Sequence, residues 1–553
     1  RDIEGGAFDS QPSTIGGAAT VAGSNEAVDT TKNMVVPTNE DVEDSSNEGE
    51  SGNNTVDAWD GTADTSWYVG HEADAKYHIT TAEQLAGLAQ LVNADPGTTN
   101  FAGKTFYLEN DLDLSGHEWI SIGTGKGGSY PEYSFCGVFD GQGHVISNLY
   151  SHESYIEGAD ESHNLLRNAL FGNVYNGEVK NLGVADAEIW IDPKDDSSAG
   201  KGILVDWMGK SKITNCWTSG SIYSGTKIEK NIGGIVGVTM QGCTISGCYS
   251  TATLTGNFTN SEGYYPNPDK LPPDTIGGIV GARFNGSLTV TDCWFDGKIV
   301  VNSIQAAVGG IVGCANIATV NNSVGGIVGN ADIATKNCMV TTTDMGADKG
   351  KKTCWVAYAP DKTVKNCYWP NDETYNPSLL ADVGGASNEE QGTAVSDFTS
   401  ADVLTGLQTN AGTGIKWVAG INHPTFDWDV WHIPADYSAV DAAIAAAKAI
   451  DSNLYSNYAD VETAIDAVDR TKSKAEQAEV DAMAQAINNA IAALEKKPSS
   501  SSRPSLYPLS GVTVTVTRLP LRARSGSTVT DPFSGLLGVV TSYREKQLTA
   551  TFT

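Results

Sequence analysis

The residues of this chain best suited to chemistry are carboxylates beside aromatic rings. Asp206 and Trp207 are adjacent. An indole stacks on the apolar face of a pyranose while a neighbouring carboxylate bonds its hydroxyls, so the pair reads as a sugar site. Hydrolysis would need a second carboxyl group, about 5–5.5 Å away for retention or about 6.5–9.5 Å for inversion. Asp192 and Asp195 are the candidate partners of Asp206, although 67 acidic residues make accidental pairs plentiful. Tyr130, Tyr133, Tyr155, Tyr264 and Tyr265 lie in segments 124–135, 152–164 and 258–275, which, with 192–200, interrupt the repeat described below. Insertions between repeats map to one face, often the binding face, and tyrosine offers rigid contact area there. Tolerated excursions would look the same.

Other chemistries fail on spacing. Asp111 and Asp113 suggest calcium, but the loop would end on a glutamate where Ile122 stands. Alternating Asp on a solvated strand face accounts for them, so no metal and no cofactor is expected. The chain contains no HExxH, GxSxG or CxxC. Its nine cysteines are an odd number, and five share a context: Asn215-Cys216-Trp217, Gly247-Cys248-Tyr249, Asp292-Cys293-Trp294, Asn337-Cys338-Met339 and Asn366-Cys367-Tyr368. This predicts a small buried residue stacked in successive layers, with one or two disulfides left open. No histidine recurs beside them to make a catalytic thiol.

These residues must be positioned by a repeat. Gly-Gly-Ile-Val-Gly occurs at 233–237, 277–281, 309–313 and 325–329. Segments 309–324 and 325–340 agree at 11 of 16 positions. A gapless alignment of 201–217 on 233–249 puts Val205 at Gly237 and Asp206-Trp207 at Val238-Thr239. Either this rung departs from its repeat to build a site, or the repeat has decayed. Strands of three to five residues are too short to stand alone. Stacked rungs bury their Ile, Val, Leu and Cys rows continuously, which predicts a mainly β, right-handed β-solenoid (β-helix) over 57–432. A helix over about 77–92, capped by Thr81, precedes the strands. Aromatic residues around 422–431 are expected to cap the open end.

The flanks differ in composition. Residues 1–56 read as a disordered acidic arm, since the first 64 residues carry 14 acidic and two basic residues. Residues 437–497 predict a small three-helix bundle with apolar stripes Val440–Ile444–Ala447, Val461–Ile465–Val468 and Val480–Met483–Ile487–Ile491–Leu494. A Ser/Pro linker follows over 498–506, then a short β-rich module over 507–553. The net charge of −32 argues against nucleic acid or an anionic membrane surface as partner. No apolar run reaches the roughly 18 residues of a membrane span, so no membrane insertion is expected. The chain opens at Arg1-Asp2 with no charged-then-apolar leader, so a signal peptide is expected to have been removed.

Gly-Gly-Ile-Val-Gly with the downstream Cys-Tyr/Trp resembles the GLUG repeat of bacterial surface proteins, and 137–149 resembles the rung that precedes such repeats. The helical segment resembles the FIVAR module of wall-associated proteins, and 507–553 resembles part of a bacterial immunoglobulin-like module. The resemblance implies a secreted, cell-surface, adhesin-like protein binding or presenting to a glycan or host protein. The alternative is a glycoside hydrolase on a β-helix, similar to lacto-N-biosidases that carry FIVAR modules. A structural stalk is the third expectation. Oligomeric state is left open.

Overall fold

The computed structural model describes residues 59–94, 99–125, 131–152, 167–191, 200–225, 231–256, 274–301, 306–314, 323–330, 334–342, 353–356, 364–371 and 392–498. The acidic arm, the C-terminal β-rich module and nearly all of the Ser/Pro linker lie outside them.

The protein is mainly β, with parallel sheets of 17 and 11 strands and five helices among the described residues. It is β-helix-like: each strand pairs in parallel with its counterpart in the next coil. One row of the first sheet runs Tyr77, Phe106, Phe139, Val179, Ile213, Ile245, Val290 and Thr335, neighbour to neighbour in register. All eight are buried. The facing row of the second sheet is Phe171, Val205, Val236, Val280 and Val312. Alternation puts these rows inward, and stacking removes their apolar surface from water without a gap between coils.

The cysteines form such a row. Cys216, Cys248, Cys293, Cys338 and Cys367 are completely buried and none is in a disulfide, with Cys248 directly opposite Cys293. Burial is the main cause that pushes the Cys338 thiol well up, so it stays protonated. The residue before each cysteine has positive φ: Asn215 52°, Gly247 63°, Asp292 52°, Asn337 56° and Asn366 49°. Asn, Asp and Gly tolerate this left-handed bend best, which accounts for the recurring context.

The glycines of the pentapeptide answer to close packing. A Cβ on Gly233 would sit 1.9 Å from the Val236 carbonyl oxygen, and one on Gly237 would sit 2.2 Å from the amide nitrogen of Lys201. Backbones meet where no side chain fits.

Two sequence expectations change, and the repeat spacing divides between the sheets. Val205 pairs with Val236 and Trp207 with Val238, an offset of 31, while Lys212 pairs with Thr244, an offset of 32. The turn at 210–211 is therefore one residue short, and Asp206 stands at the Gly237 position. Residues Lys76–Ile79 form a strand, and α1 spans Ala82–Asn93 after Thr81, whose side chain accepts from the Gln84 amide. Alternating exposed Lys76 and His78 with buried Tyr77 and Ile79 is a strand pattern that the expected helix had absorbed. The first sheet advances 32 residues per coil from Ile213 to Ile245, twice the spacing of the tandem copies. The tandem pair accordingly adds a strand to the second sheet alone, where Val312 pairs with Val328.

After the coils, α2 (Ala401–Thr409) and an antiparallel pair, Trp417–Val418 with Thr425–Phe426, run back along the flank. They pack on Tyr249, Trp294, Met339 and Tyr368, an outward column from four coils. The aromatic residues expected to close the end of the stack thus clasp its side. Finally α3 (Ser438–Lys448), α4 (Tyr458–Asp466) and α5 (Gln477–Ala492) share a small core of Val440, Ala447, Val461, Val480 and Ile487.

Candidate functional site

Asp206 is completely buried. Its Oδ2 accepts from the amides of Asn168 (2.7 Å) and Ala169 (3.4 Å), and its Oδ1 from the amide of Gly202 (2.9 Å). Burial raises its carboxyl above the usual range, opposed by Lys201, Arg167 and those amides. Lys201 is also fully buried, at the inward position its neighbour fills with Ile232, and donates to the Asn168 side chain. The carboxylate ties the chain at 168–169 to the next coil, where the second sheet has no strand. The adjacent Trp207 is half-buried, with the Arg167 guanidinium 5.3 Å from its ring and Phe284, 58% exposed, at 6.4 Å. Tyr133 is half-buried with φ of 52°. Asp192, Asp195, Tyr130, Tyr155, Tyr264 and Tyr265 lie outside the described residues.

The surface that brings rings and polar groups together lies elsewhere. An open cleft of about 460 Å³ runs between the first sheet and the C-terminal clasp. Trp217 forms one end. Its indole stacks on Tyr249 (5.8 Å, 6° between planes), and Tyr249 stacks on Trp294 (4.1 Å, 6°). The clasp covers the column from Tyr249 onward but leaves Trp217 half-buried. On the other side of Trp217 the column continues with Gly183 and then Val145. A Cβ on Gly183 would lie 2.5 Å from the indole, so only glycine lets the ring lie there. With no ring beneath it, Trp217 is the open end of an aromatic stack. Two coil spacings, about 9–10 Å, separate its backbone from that of Val145, and the indole leans over Gly183 into that interval.

The walls are polar on one side and aromatic on the other. Asp140, Asn181 and Asn215 form a ladder: Asn181 Nδ2 donates to Asp140 Oδ1 (2.9 Å), and Asn215 Nδ2 to Asn181 Oδ1 (3.2 Å). Asp140 Oδ2 faces Lys180 Nζ at 3.3 Å. The ladder is interrupted at Gly247, and the buried Asn215 Oδ1 has no hydrogen-bond partner among the described residues. It resumes where Asp292 accepts from Asn337 and from Trp417 Nε1 (3.0 Å) of the clasp. Opposite stand Trp428, Asp429, Val430 and Trp431, the last 48% exposed.

Asp429 fixes that wall. Its oxygens accept from Tyr249 Oη (3.1 Å), Thr425 Oγ1 and His432 Nδ1 (2.9 Å to Oδ2). Burial and the adjacent carboxylate push the Tyr249 hydroxyl well above its ordinary range, so it remains a donor. His423 is 3% exposed, and its Nδ1–H donates to the Pro424 carbonyl (2.9 Å), while Nε2 faces Asp296 at 3.8 Å. Burial holds its imidazole below the ordinary range, against the pull of Asp296. The sequence signal for the cleft was the aromatic after four of the five repeated cysteines and the glycine that stands in that column at 183. Nothing local linked these to 428–431.

No three-carboxylate, histidine or thiol cluster fit for a metal occurs among the described residues. No described helix is long and apolar enough to cross a membrane.

Three comparisons with known proteins bear on this chain. No family model matches it. Halomucin of Haloquadratum walsbyi is 29% identical over 206 residues, 37% of this chain, and the match spans 2% of Halomucin's own length. A crystal structure of a Bacteroides ovatus protein, provisionally described as an immunoglobulin A1 protease, has 21% identity and a TM-score of 0.40, covering 64% of this chain and 92% of that one.

Proposed function

We propose that this chain is an extracellular, adhesin-type binding protein whose β-helix presents the Trp217–Trp431 cleft to a saccharide. The partial similarity to Halomucin supports the extracellular setting, as does the resemblance of the repeat to GLUG surface proteins. One observation carries the ligand class: the half-buried indole of Trp217, lying over Gly183, lines a cleft walled by Trp431 and by the Asp140–Asn181–Asn215 ladder. An apolar ring face beside fixed amides and carboxylates is what a pyranose requires. Immobilised saccharides probed with the intact chain test the reading. Trp431→Ala should lose about 30-fold in affinity, the about 2 kcal/mol of an aromatic hot spot, with an unchanged unfolding curve. Equal binding by the variant removes the cleft from the account.

Hydrolysis is the second reading, favoured by the presence of Asp140 and Asp429 in one cleft. The oxygens of both are engaged by protein donors, which suits holding better than proton transfer. Release of reducing ends that disappears in Asp140→Asn would establish the enzyme.

A further inference from the structure

We infer that the cleft selects uncharged saccharides and rejects those bearing carboxylate or sulfate groups; the inference rests on the saccharide reading above. Thirteen residues line the cleft, and the two with charge, Asp140 and Asp429, are both acidic. The basic groups beside these carboxylates are paired with them: Lys180 Nζ with Asp140 at 3.3 Å, and the His432 ring with Asp429 at 2.9 Å. Neither lines the cleft.

Hydrogen-bond direction points the same way. An anionic sugar needs donors, ideally a guanidinium fork or a pair of free N–H groups. No guanidinium or ammonium group lines the cleft, and the amides are partly committed: one N–H of Asn181 to Asp140, one of Asn215 to Asn181, and both of Gln142, to the Leu108 carbonyl at 2.9 Å and to Glu109. The carboxylate that reaches the cleft is that of Asp140, 15% exposed, while that of Asp429 lies sealed within the wall. Sugar hydroxyls donate to carboxylates, whereas a ligand carboxylate or sulfate would be repelled by them. The chain's net charge of −32 adds a long-range repulsion of the same sign.

The test is a printed panel in which each neutral oligosaccharide is matched with its sialylated, sulfated or uronic-acid counterpart. It is probed with the whole chain at low and at physiological salt. Among bound pairs, the neutral member should be retained at least about tenfold better, a difference of about 1.4 kcal/mol. Asp140→Asn keeps the Oδ1 acceptor of the ladder but removes a charge, and should narrow the ratio about threefold. Added salt should narrow it as well. Acidic members bound as well as or better than neutral ones would overturn the selectivity while leaving the cleft in place. A panel blank for the wild type, or binding indifferent to Trp431→Ala, would instead remove the saccharide reading and the inference with it.

Discussion

Asp206 and Asp429 are both sealed from solvent, at 0% and 1% exposure, yet the groups they hold differ in kind. Asp206 accepts from backbone amides of its own and the preceding coil, beside a buried lysine. Asp429 accepts from Tyr249, Thr425 and His432, side chains of two elements far apart in sequence. The first closes a gap in a sheet. The second fastens a clasp whose outer edge is a wall of the cleft. A residue that breaks a repeat is thus as readily a repair of the scaffold as a functional group, and its partners tell which.

The contrast can be broken at several points. Asp206→Ala should have the largest effect, about 3–5 kcal/mol of stability, because it removes the negative charge that opposes buried Lys201 and leaves three amides without their acceptor in a dry interior; denaturant unfolding measures it, and saccharide binding per folded molecule should not change. Asp429→Asn puts an amide N–H₂ among groups that donate, costing about 1–3 kcal/mol at the clasp. Limited proteolysis over 401–432 should accelerate and binding should weaken with it. Gly183→Ala pushes a methyl into the indole of Trp217 and should reduce binding about tenfold, with a smaller loss of stability, as overpacking does.

Acid is a gentler probe. Burial depresses the His423 imidazole below its ordinary 6.5, so the opened clasp binds the proton more readily. Above about pH 6.5 both forms are neutral and the clasp keeps its full stability. As the pH falls below that, stability is lost at no more than about 1.4 kcal/mol per pH unit for one proton. Asp296, Asp429 and His432 face the same pocket, so the control is His423→Gln, which should flatten this part of the profile. Least of all, Trp207→Phe should leave saccharide binding within about twofold, since the half-buried indole lies on the other sheet.

The coil and its cysteine row were legible in sequence because a residue recurring before an aromatic, after Asn, Asp or Gly, leaves a periodic trace. The one-residue slip at Asp206 was not. In a glycine-rich stretch, Gly-Ile-Leu-Val at 202–205 matches the pentapeptide almost equally well at two offsets, and only the shortened turn at 210–211 decides. Helix α1 was placed correctly by Leu85, Leu88 and Val92 but overrun at its start, where Tyr77 and Ile79 obey the period of two. The cleft could not be read, because it joins residues near 140–217 to 428–431 through a clasp whose aromatic run signals that it packs on the coils but not where. Its two sequence cues, Trp217 and Gly183, each look like an ordinary repeat position.

Because the clasp grips Tyr249, Trp294, Met339 and Tyr368 at once, it acts as a gauge of how many coils lie beneath it. Losing one whole coil from that stretch would shift every grip by about 4.8 Å and put the clasp out of phase. The tandem copies at 309–340 show a growth route that avoids this. They lengthen one wall of the tube, through the Val312–Val328 pairing, while the opposite wall steps directly from Trp294 to Met339. Duplication of that kind enlarges the molecule without moving the cleft.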